Sequence, residues 1–292
     1  MIKGRGAQIQ VKNKFLMHEY VQEHLEGIDD FEDESSKTKY VPIFPKTIVN
    51  QVKSPDVGME FSLNPYQGCE HGCIYCYARN SHEYWGYNAG LDFERVVLYK
   101  ENAPALLEKY LQKPKYQPAT IALSGNTDCY QPVERKLKVT RGLLEVFLKY
   151  KHPVGIITKN TLVTRDIDIL EPLAKDNLVG VHFSLTTLNE KVRRKLEPRT
   201  STSRQKLNAI QKLTQKGIPV SIMIGPTIPG LNDHEIPQIM EVASKAGARS
   251  TGFTMVRLNG QIGQVFEHWV QQAFPDRAEK ILNQIKAAHG GS

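Results

Sequence analysis

From Glu60 onward, short apolar runs alternate along the chain with longer amphipathic segments. Six runs have the length and composition of buried strands: 61–63, 120–123, 154–158, 179–185, 220–224 and 252–256. The segments between them carry apolar stripes at helical spacing: Leu137, Thr140, Leu144 and Phe147; Ile236, Ile239, Met240, Ala243 and Ala246; Ile281, Leu282 and Ile285. We expect these stripes to be buried. Repeated βα units predict a parallel sheet, and six of them favour an α/β fold built as a partial barrel.

Three of the four cysteines lie within eight residues, at Cys69, Cys73 and Cys76. Thiolates at this spacing on one loop can hold three irons of a [4Fe–4S] cube and leave the fourth iron without a protein ligand. A zinc knuckle is the alternative. It normally uses two ligand pairs and four protein ligands, and His71 could complete a Cys3His set. Disulfides are disfavoured, because this cysteine usage and the lack of a signal-like start fit free thiols in a reducing cytoplasm.

The sequence around the cysteines, residues 62–79, resembles the radical S-adenosylmethionine (SAM) superfamily, in a bacterial branch related to spore photoproduct lyase. Further similar segments are 126–135, 158–168, 197–200 and 229–233, so the resemblance runs from about Lys3 to the C-terminus. It implies a partial (β/α)6 barrel of the radical SAM type. It also implies that the three cysteines bind a [4Fe–4S] cluster and that Tyr75 fills an aromatic position beside the cofactor. The implied reaction is reductive cleavage of SAM to a 5′-deoxyadenosyl radical.

Polar residues follow the predicted strands, at the end of the sheet where barrel enzymes gather their active sites. Ser124, Gly125 and Asn126 come after the second strand, where the resemblance implies contacts to the SAM amino group. Lys159 follows the third strand and resembles a lysine directed at the cofactor, whereas Ser184 ends the fourth and suits a ribose or carboxylate. The alternatives from the residues alone are an ordinary turn for Ser124–Asn126 and a solvated side chain for Lys159.

Cys129 and Tyr130 are the candidate catalytic residues, as a hydrogen-atom donor and a radical relay. In spore photoproduct lyase the donor cysteine lies on the same loop, but at the position that Gly125 occupies in this sequence. The alternative for Cys129 is therefore a half-buried thiol without a catalytic role.

Basic residues are concentrated between positions 191 and 206, where seven face a single acid, Glu197. They are Lys191, Arg193, Arg194, Lys195, Arg199, Arg204 and Lys206. We predict a rim that contacts phosphate or carboxylate groups, with Arg199 holding the SAM carboxylate; a solvated helix face is the alternative. The net charge of +7 is compatible with a polyanionic substrate, so nucleic acid is the leading candidate. A protein or peptide substrate, or a non-catalytic metal knuckle that binds nucleic acid, stays open.

Residues 1–58 form a predicted N-terminal arm without a catalytic role, and residues 59–292 form the predicted radical SAM core. The arm includes an acidic run at 29–34 and is expected to lie extended across the fold or to be mobile. No apolar run is long enough to span a membrane, so we predict a cytoplasmic monomer. The resemblance implies an electron donor of the flavodoxin or ferredoxin type. It also suggests a shortened C-terminus, because similar proteins continue into a basic, glycine-rich tail.

Overall fold

A computed structural model of the chain describes residues 4–15, 37–53 and 58–291. The strands in these parts of the chain are β1 Lys39–Ile43, β2 Val49–Gln51, β3 Phe61–Leu63, β4 Tyr66–Gln67, β5 Val96–Lys100, β6 Ile121–Leu123, β7 Val154–Thr158, β8 Val179–Ser184, β9 Val220–Thr227 and β10 Ser250–Met255. The α-helices are α1 Asp92–Arg95, α2 Ala103–Leu111, α3 Glu134–Leu137, α4 Val139–Lys149, α5 Ile167–Lys175, α6 Glu190–Leu196, α7 Ser203–Gln215, α8 Ile236–Lys245, α9 Gln261–Ala273 and α10 Ala278–Ala288. Short 3-10 helices cover Tyr77–Trp85, Thr161–Asp166, Asp233–Glu235 and Pro275–Arg277.

The main sheet contains the six predicted strands, side by side in chain order. Its order is β10-β9-β8-β7-β6-β3-β2, and every pair from β3 to β10 is parallel. Sequential parallel order is typical of a barrel wound in one direction, whereas doubly wound sheets reverse their order part-way. The predicted α/β fold of the partial-barrel type is confirmed.

A second, smaller sheet was not predicted. Its order is β1-β5-β4, with β1 parallel and β4 antiparallel to β5. Strand β2 joins the main sheet antiparallel to β3. The predicted N-terminal arm therefore contributes one strand to each sheet, and its acidic run at 29–34 lies outside the described residues.

Amphipathic helices cover the main sheet, as the apolar stripes predict. Helix α4 buries Thr140, Leu144 and Phe147 against the strands. Helix α8 buries Ile239 and Ala243, but Met240 is exposed, so the prediction that its whole stripe is buried is wrong at this position. Residue 240 follows Ile239 by one position, which turns its side chain about 100° away from the buried face.

A second apolar cluster joins the two ends of the chain to the cysteine loop. It contains residues of α9 and α10, Ala7 and Val11 from the arm, and Cys73 and Ile74 from the loop. In the described part of the chain, no helix is both long and apolar enough to cross a membrane. The cysteine loop is thus packed between the sheet and the C-terminal helices.

Candidate active site

The three neighbouring cysteines occupy a buried loop that follows β4. Cys69 and Cys73 are each 6% exposed, and Cys76 is partly buried. The amide of Cys69 donates to the carbonyl of Phe93 at 2.8 Å, which fixes one end of the loop. Burial raises the pKa of the Cys69 thiol, and the nearby Asp128, Cys73 and Cys76 raise it further, so the three thiols are close enough to interact. Soft thiolate donors on one loop are the ligands that an iron–sulfur cluster takes.

His71 lies between the cysteines but is engaged elsewhere. Its Nδ1 is 3.4 Å from Asp128 Oδ2, and its Nε2 is 3.2 Å from Asn160 Nδ2. Over residues 4–15, 37–53 and 58–291, no three His, Cys, Asp or Glu side chains surround one ion position. In a [4Fe–4S] cluster each thiolate binds a different iron atom, so its ligands do not meet at one point. The position of His71 supports its interpretation as a loop residue and not as a fourth zinc ligand.

Asp128, at the end of the β6 loop, connects three neighbouring segments. Its carboxylate accepts hydrogen bonds from the Thr158 hydroxyl at 2.8 Å and from the Lys159 amide at 2.7 Å, and it faces His71. Burial alone would raise the pKa of Asp128, but His71 and the backbone amides of Lys159 and Tyr130 outweigh it and lower the pKa. The sequence analysis gave Asp128 no role, although the 126–135 segment that contains it was part of the resemblance.

Lys159 lies in the middle of the site, close to two other predicted cofactor residues. Its ammonium donates to the Ser184 hydroxyl and lies 5.7 Å from the centre of the Tyr75 ring. It is also 3.9 Å from Glu197 Oε1. Burial alone would lower the pKa of Lys159, but Glu197 and Cys73 outweigh it and raise the pKa. The ammonium is therefore held protonated beside the cysteine loop, which argues against the solvated alternative.

Glu197 is a fully buried carboxylate that connects the cysteine loop to the sheet. It accepts hydrogen bonds from Tyr75 and from Thr186, the latter at 2.6 Å, and Lys206 Nζ is 3.3 Å away. Burial alone would raise the pKa of Glu197, but Lys206 and Lys159 hold it well below its usual range. The role of Glu197 as an acceptor inside the site was not predicted. The feature that could have indicated it is its place as the one acid among seven basic residues at 191–206.

The predicted basic rim at 191–206 is wrong for several of its members. Lys206 is buried, with its ammonium also donating to the Ser184 carbonyl at 3.0 Å. Arg193 is buried as well and donates to the carbonyls of Glu197 and Thr200 at 3.0 and 3.1 Å. Lys195 donates to the Ala273 carbonyl. Arg193 and Lys206 therefore satisfy backbone carbonyls inside the fold, whereas Lys191, Arg194, Lys195 and Arg204 are exposed.

Arg199 contacts the cysteine loop through Glu70 and His71. Its Nη2 is 3.3 Å from Glu70 Oε1, and its amide donates to the His71 carbonyl at 3.2 Å. Glu70 also accepts a hydrogen bond from the Tyr40 hydroxyl at 3.0 Å. The predicted contact of Arg199 with the SAM carboxylate stays a prediction, because its observed partner is Glu70.

The turn that directly follows β6 contains Ser124, Gly125 and Asn126, and it contacts the 3-10 helix Tyr77–Trp85. The Ser124 hydroxyl accepts from the Cys129 amide at 2.6 Å, and the Gly125 carbonyl accepts from the Tyr77 hydroxyl. The side-chain amide of Asn126 donates to Ser81 at 3.0 Å. The turn therefore lies beside the helix that follows Cys76, and its contacts to SAM stay predictions.

Cys129 and Tyr130 are fully buried in the main apolar cluster. The Cys129 carbonyl accepts from Thr140 at 2.6 Å, and the Tyr130 hydroxyl donates to Asp166 at 3.0 Å. Burial raises the pKa of the Cys129 thiol well above its usual value, with Asp128 adding to the shift. The Cys129 thiol is thus fully buried and not half-buried, as the alternative expected. The catalytic roles of Cys129 and Tyr130 stay predictions.

The N-terminal arm is bonded to the cysteine loop through a buried ion pair. The amides of Gly6 and Ala7 donate to the two oxygens of Glu94 at 2.9 and 2.8 Å. Glu94 also pairs with the buried Arg79, whose Nε donates to the Cys73 carbonyl at 3.0 Å. Residues of the arm thus support the backbone of a predicted cluster ligand.

Replacing Gly6 by alanine is expected to loosen this support. An added methyl group would overlap the carbonyl oxygen of Gly72, inside the cysteine loop. We expect the free energy of unfolding, measured in urea, to fall by about 1–3 kcal/mol, as for overpacked sites, and a reconstituted cluster to be lost sooner in air. Gly58→Ala is the control, because nothing lies within 4 Å of its methyl position. Equal behaviour of the two variants would contradict the proposed support.

Comparisons with known proteins agree with this geometry. The sequence profile described as the Radical SAM superfamily matches residues 63–243. An uncharacterised protein of Mycobacterium tuberculosis is 31% identical over 79% of this chain and 69% of its own length. A radical SAM Nalpha-GlyT isomerase of Pseudomonas phage M6 is 26% identical over 59% of this chain and 34% of its own. A structure of a spore photoproduct lyase mutant with bound AdoMet and dinucleoside spore photoproduct has a TM-score of 0.60 at 16% identity, covering 86% and 72% of the two chains.

The chain belongs to the radical SAM superfamily. It is therefore an enzyme whose cofactors are a [4Fe–4S] cluster and SAM, and it needs a reductant. The lyase comparison supports the fold, and at this level of identity it supports the fold alone. The resemblance in the cysteine segment is confirmed at the level of the superfamily.

Proposed function

We propose that Cys69, Cys73 and Cys76 hold the [4Fe–4S] cluster and that SAM binds between this loop and Lys159. When bound, the cluster and SAM supply a 5′-deoxyadenosyl radical through one-electron cleavage of the sulfonium. The observation that carries the proposal is the partly buried ammonium of Lys159 beside three thiols on one loop, two of them buried and that of Cys76 partly buried. The donor set fits an iron–sulfur cluster, since all three proposed ligands are cysteines, whose soft thiolates such clusters take.

The charges around Lys159 suit a cofactor that carries a carboxylate. Lys159 and Lys206 share a single ion-pair partner, Glu197, so two ammonium groups face one carboxylate in these two ion pairs. The ammonium of Lys206 lies closer to the Glu197 carboxylate than that of Lys159, at 3.3 Å against 3.9 Å. We therefore assign Lys206 the task of neutralising Glu197 and Lys159 the task of binding the SAM carboxylate.

We further propose that the radical takes a hydrogen atom from a nucleic-acid substrate. The support is the net charge of +7 and the fold shared with a lyase whose structure holds a dinucleoside. The accompanying proposals are a flavodoxin- or ferredoxin-type electron donor, a monomeric state and a cytoplasmic location, where thiols stay reduced.

The test is the formation of 5′-deoxyadenosine by anaerobically reconstituted, dithionite-reduced protein. Ultraviolet-irradiated DNA, undamaged DNA and RNA are supplied separately, each in ordinary and deuterated form. We expect 5′-deoxyadenosine in all reactions and deuterium in it with one nucleic acid only. Deuterium uptake with none of the three would contradict the nucleic-acid proposal, and no 5′-deoxyadenosine at all would contradict the SAM-cleavage proposal.

A further inference from the structure

Exposed aromatic side chains lie at the end of the 3-10 helix Tyr77–Trp85, next to the N-terminal arm. Tyr84 is 73% exposed, Phe15 50% and Trp85 43%. We call these three residues the aromatic platform. Large aromatic side chains are usually buried for most of their area, and grouped exposure of this kind marks an interaction site.

The platform is held in a defined arrangement. The rings of Phe15 and Tyr84 lie 4.8 Å apart between centres, with 38° between their planes. Lys14 Nζ is 4.9 Å from the centre of the Phe15 ring and 5.8 Å from that of Tyr84. The same ammonium is 3.9 Å from Glu83 Oε2, a long ion pair to a buried carboxylate. The platform therefore combines two neighbouring rings with a half-exposed cation.

The backbone next to Phe15 is bonded to the helix that carries Tyr84. The side-chain amide of Asn13 donates to the carbonyls of Glu83 and Tyr87 at 3.0 and 2.8 Å. The Lys14 amide donates to Glu83 Oε1 at 3.0 Å. These bonds fix the arm against the helix, so the rings are presented by an ordered scaffold.

Two residues of the platform, Tyr84 and Trp85, lie on the 3-10 helix that follows the predicted cluster ligand Cys76. The helix starts at Tyr77, directly after Cys76. With a rise of about 2 Å per residue, Tyr84 is about 14 Å from Tyr77 along the helix. A chain molecule seated on the platform could therefore extend a few of its units to the cysteine loop.

We propose that the aromatic platform binds single-stranded nucleic acid, with bases stacked on Tyr84, Trp85 and Phe15 and a backbone phosphate near Lys14. This inference rests on the proposed nucleic-acid substrate and names the strand form that the enzyme takes. Aromatic rings accept the face of any base, and a nearby cation neutralises the phosphate. An acidic redox protein is the competing partner, but two neighbouring exposed rings beside one lysine, with the exposed Trp85 next to Tyr84 in the chain, offer more stacking area than positive charge.

The test measures binding of a fluorescein-labelled oligothymidine of about 12 nucleotides to the reconstituted full chain by anisotropy. We expect Tyr84→Ala and Trp85→Ala each to weaken binding about tenfold. Lys14→Gln should reduce the magnitude of the negative slope of log binding constant against log salt concentration by about 0.7. Phe253→Ala is the matched control, because this aromatic residue is equally exposed but lies on the edge strand β10. Its affinity should equal that of the unaltered chain.

Unchanged oligothymidine affinity in both Tyr84→Ala and Trp85→Ala would overturn the platform proposal. Slower reduction of these two variants by flavodoxin would then assign the platform to a redox partner. Formation of 5′-deoxyadenosine with dithionite should be the same in Tyr84→Ala and in the unaltered chain. If neither protein formed 5′-deoxyadenosine, the proposed SAM cleavage would be wrong. The oligothymidine affinities would still test the platform proposal separately.

Discussion

Replacing Cys73 by alanine is expected to abolish cluster binding and SAM cleavage together. A [4Fe–4S] cluster that has only three protein ligands loses a third of them with this change, and the open coordination site for SAM is no longer defined. Cys73 is buried and its carbonyl is held by Arg79, which fixes the place of this proposed ligand on the loop. We expect iron content, visible absorption and 5′-deoxyadenosine to fall to the level of a protein-free control after anaerobic reconstitution.

The fourth cysteine provides the matched control for this result. Cys129→Ala removes a thiol from the main apolar cluster and should retain the iron content of the unaltered chain. Its effect on product formation separately tests the predicted hydrogen donor. If Cys73→Ala kept its iron, or if Cys129→Ala lost it, the assignment of the cluster ligands would be wrong. Metal analysis and visible spectra of both proteins decide between these results.

The core of the fold could be predicted from the sequence because its strands are local features. Each of the six runs is short and largely apolar, and segments with helical stripes separate several of them. The last of these strands, β10, lies at the edge of the sheet and is nevertheless largely exposed. The small sheet was missed for the opposite reason. Strand β5 pairs with β1 in the arm across more than fifty positions, and the polar composition around β1 favoured an extended or mobile segment. Pairing between distant and partly exposed strands leaves little trace in local composition.

The site was predictable only where a motif or a strand end marked it. The cysteine spacing and the place of Lys159 and Ser184 after their strands identified residues that the structure brings together. Glu197 and Lys206 were not recognised, because a basic stretch normally forms a solvated face. Their burial depends on long-range contacts with Tyr75 and Ser184. Charge composition therefore predicted a rim where the fold contains an internal ion pair.

Replacing Glu197 by glutamine is expected to destabilise the protein and to weaken SAM binding. The change leaves the buried ammonium of Lys206 and the partly buried one of Lys159 without the carboxylate with which both are paired. Removal of one partner from a buried ion pair typically costs about 3–5 kcal/mol, so we expect a loss of that size in the free energy of unfolding. Urea unfolding provides this value. Tyr75 and Thr186 lose their charged acceptor at the same time, so the KM for SAM should rise.

The double variant Glu197→Gln with Lys206→Met separates the role of charge from that of packing. It removes both members of the buried pair and leaves Lys159 in place, so most of the lost stability should return. Acid titration gives a second readout. The pKa of Glu197 is lower in the folded chain than the usual value of about 4.3, so its contribution to stability is complete above that pH and is lost as the pH falls. Between about pH 5 and pH 2 the unaltered chain should therefore lose stability more steeply than the double variant. Parallel curves for the two proteins would show that Glu197 is not held ionised by its lysine partners.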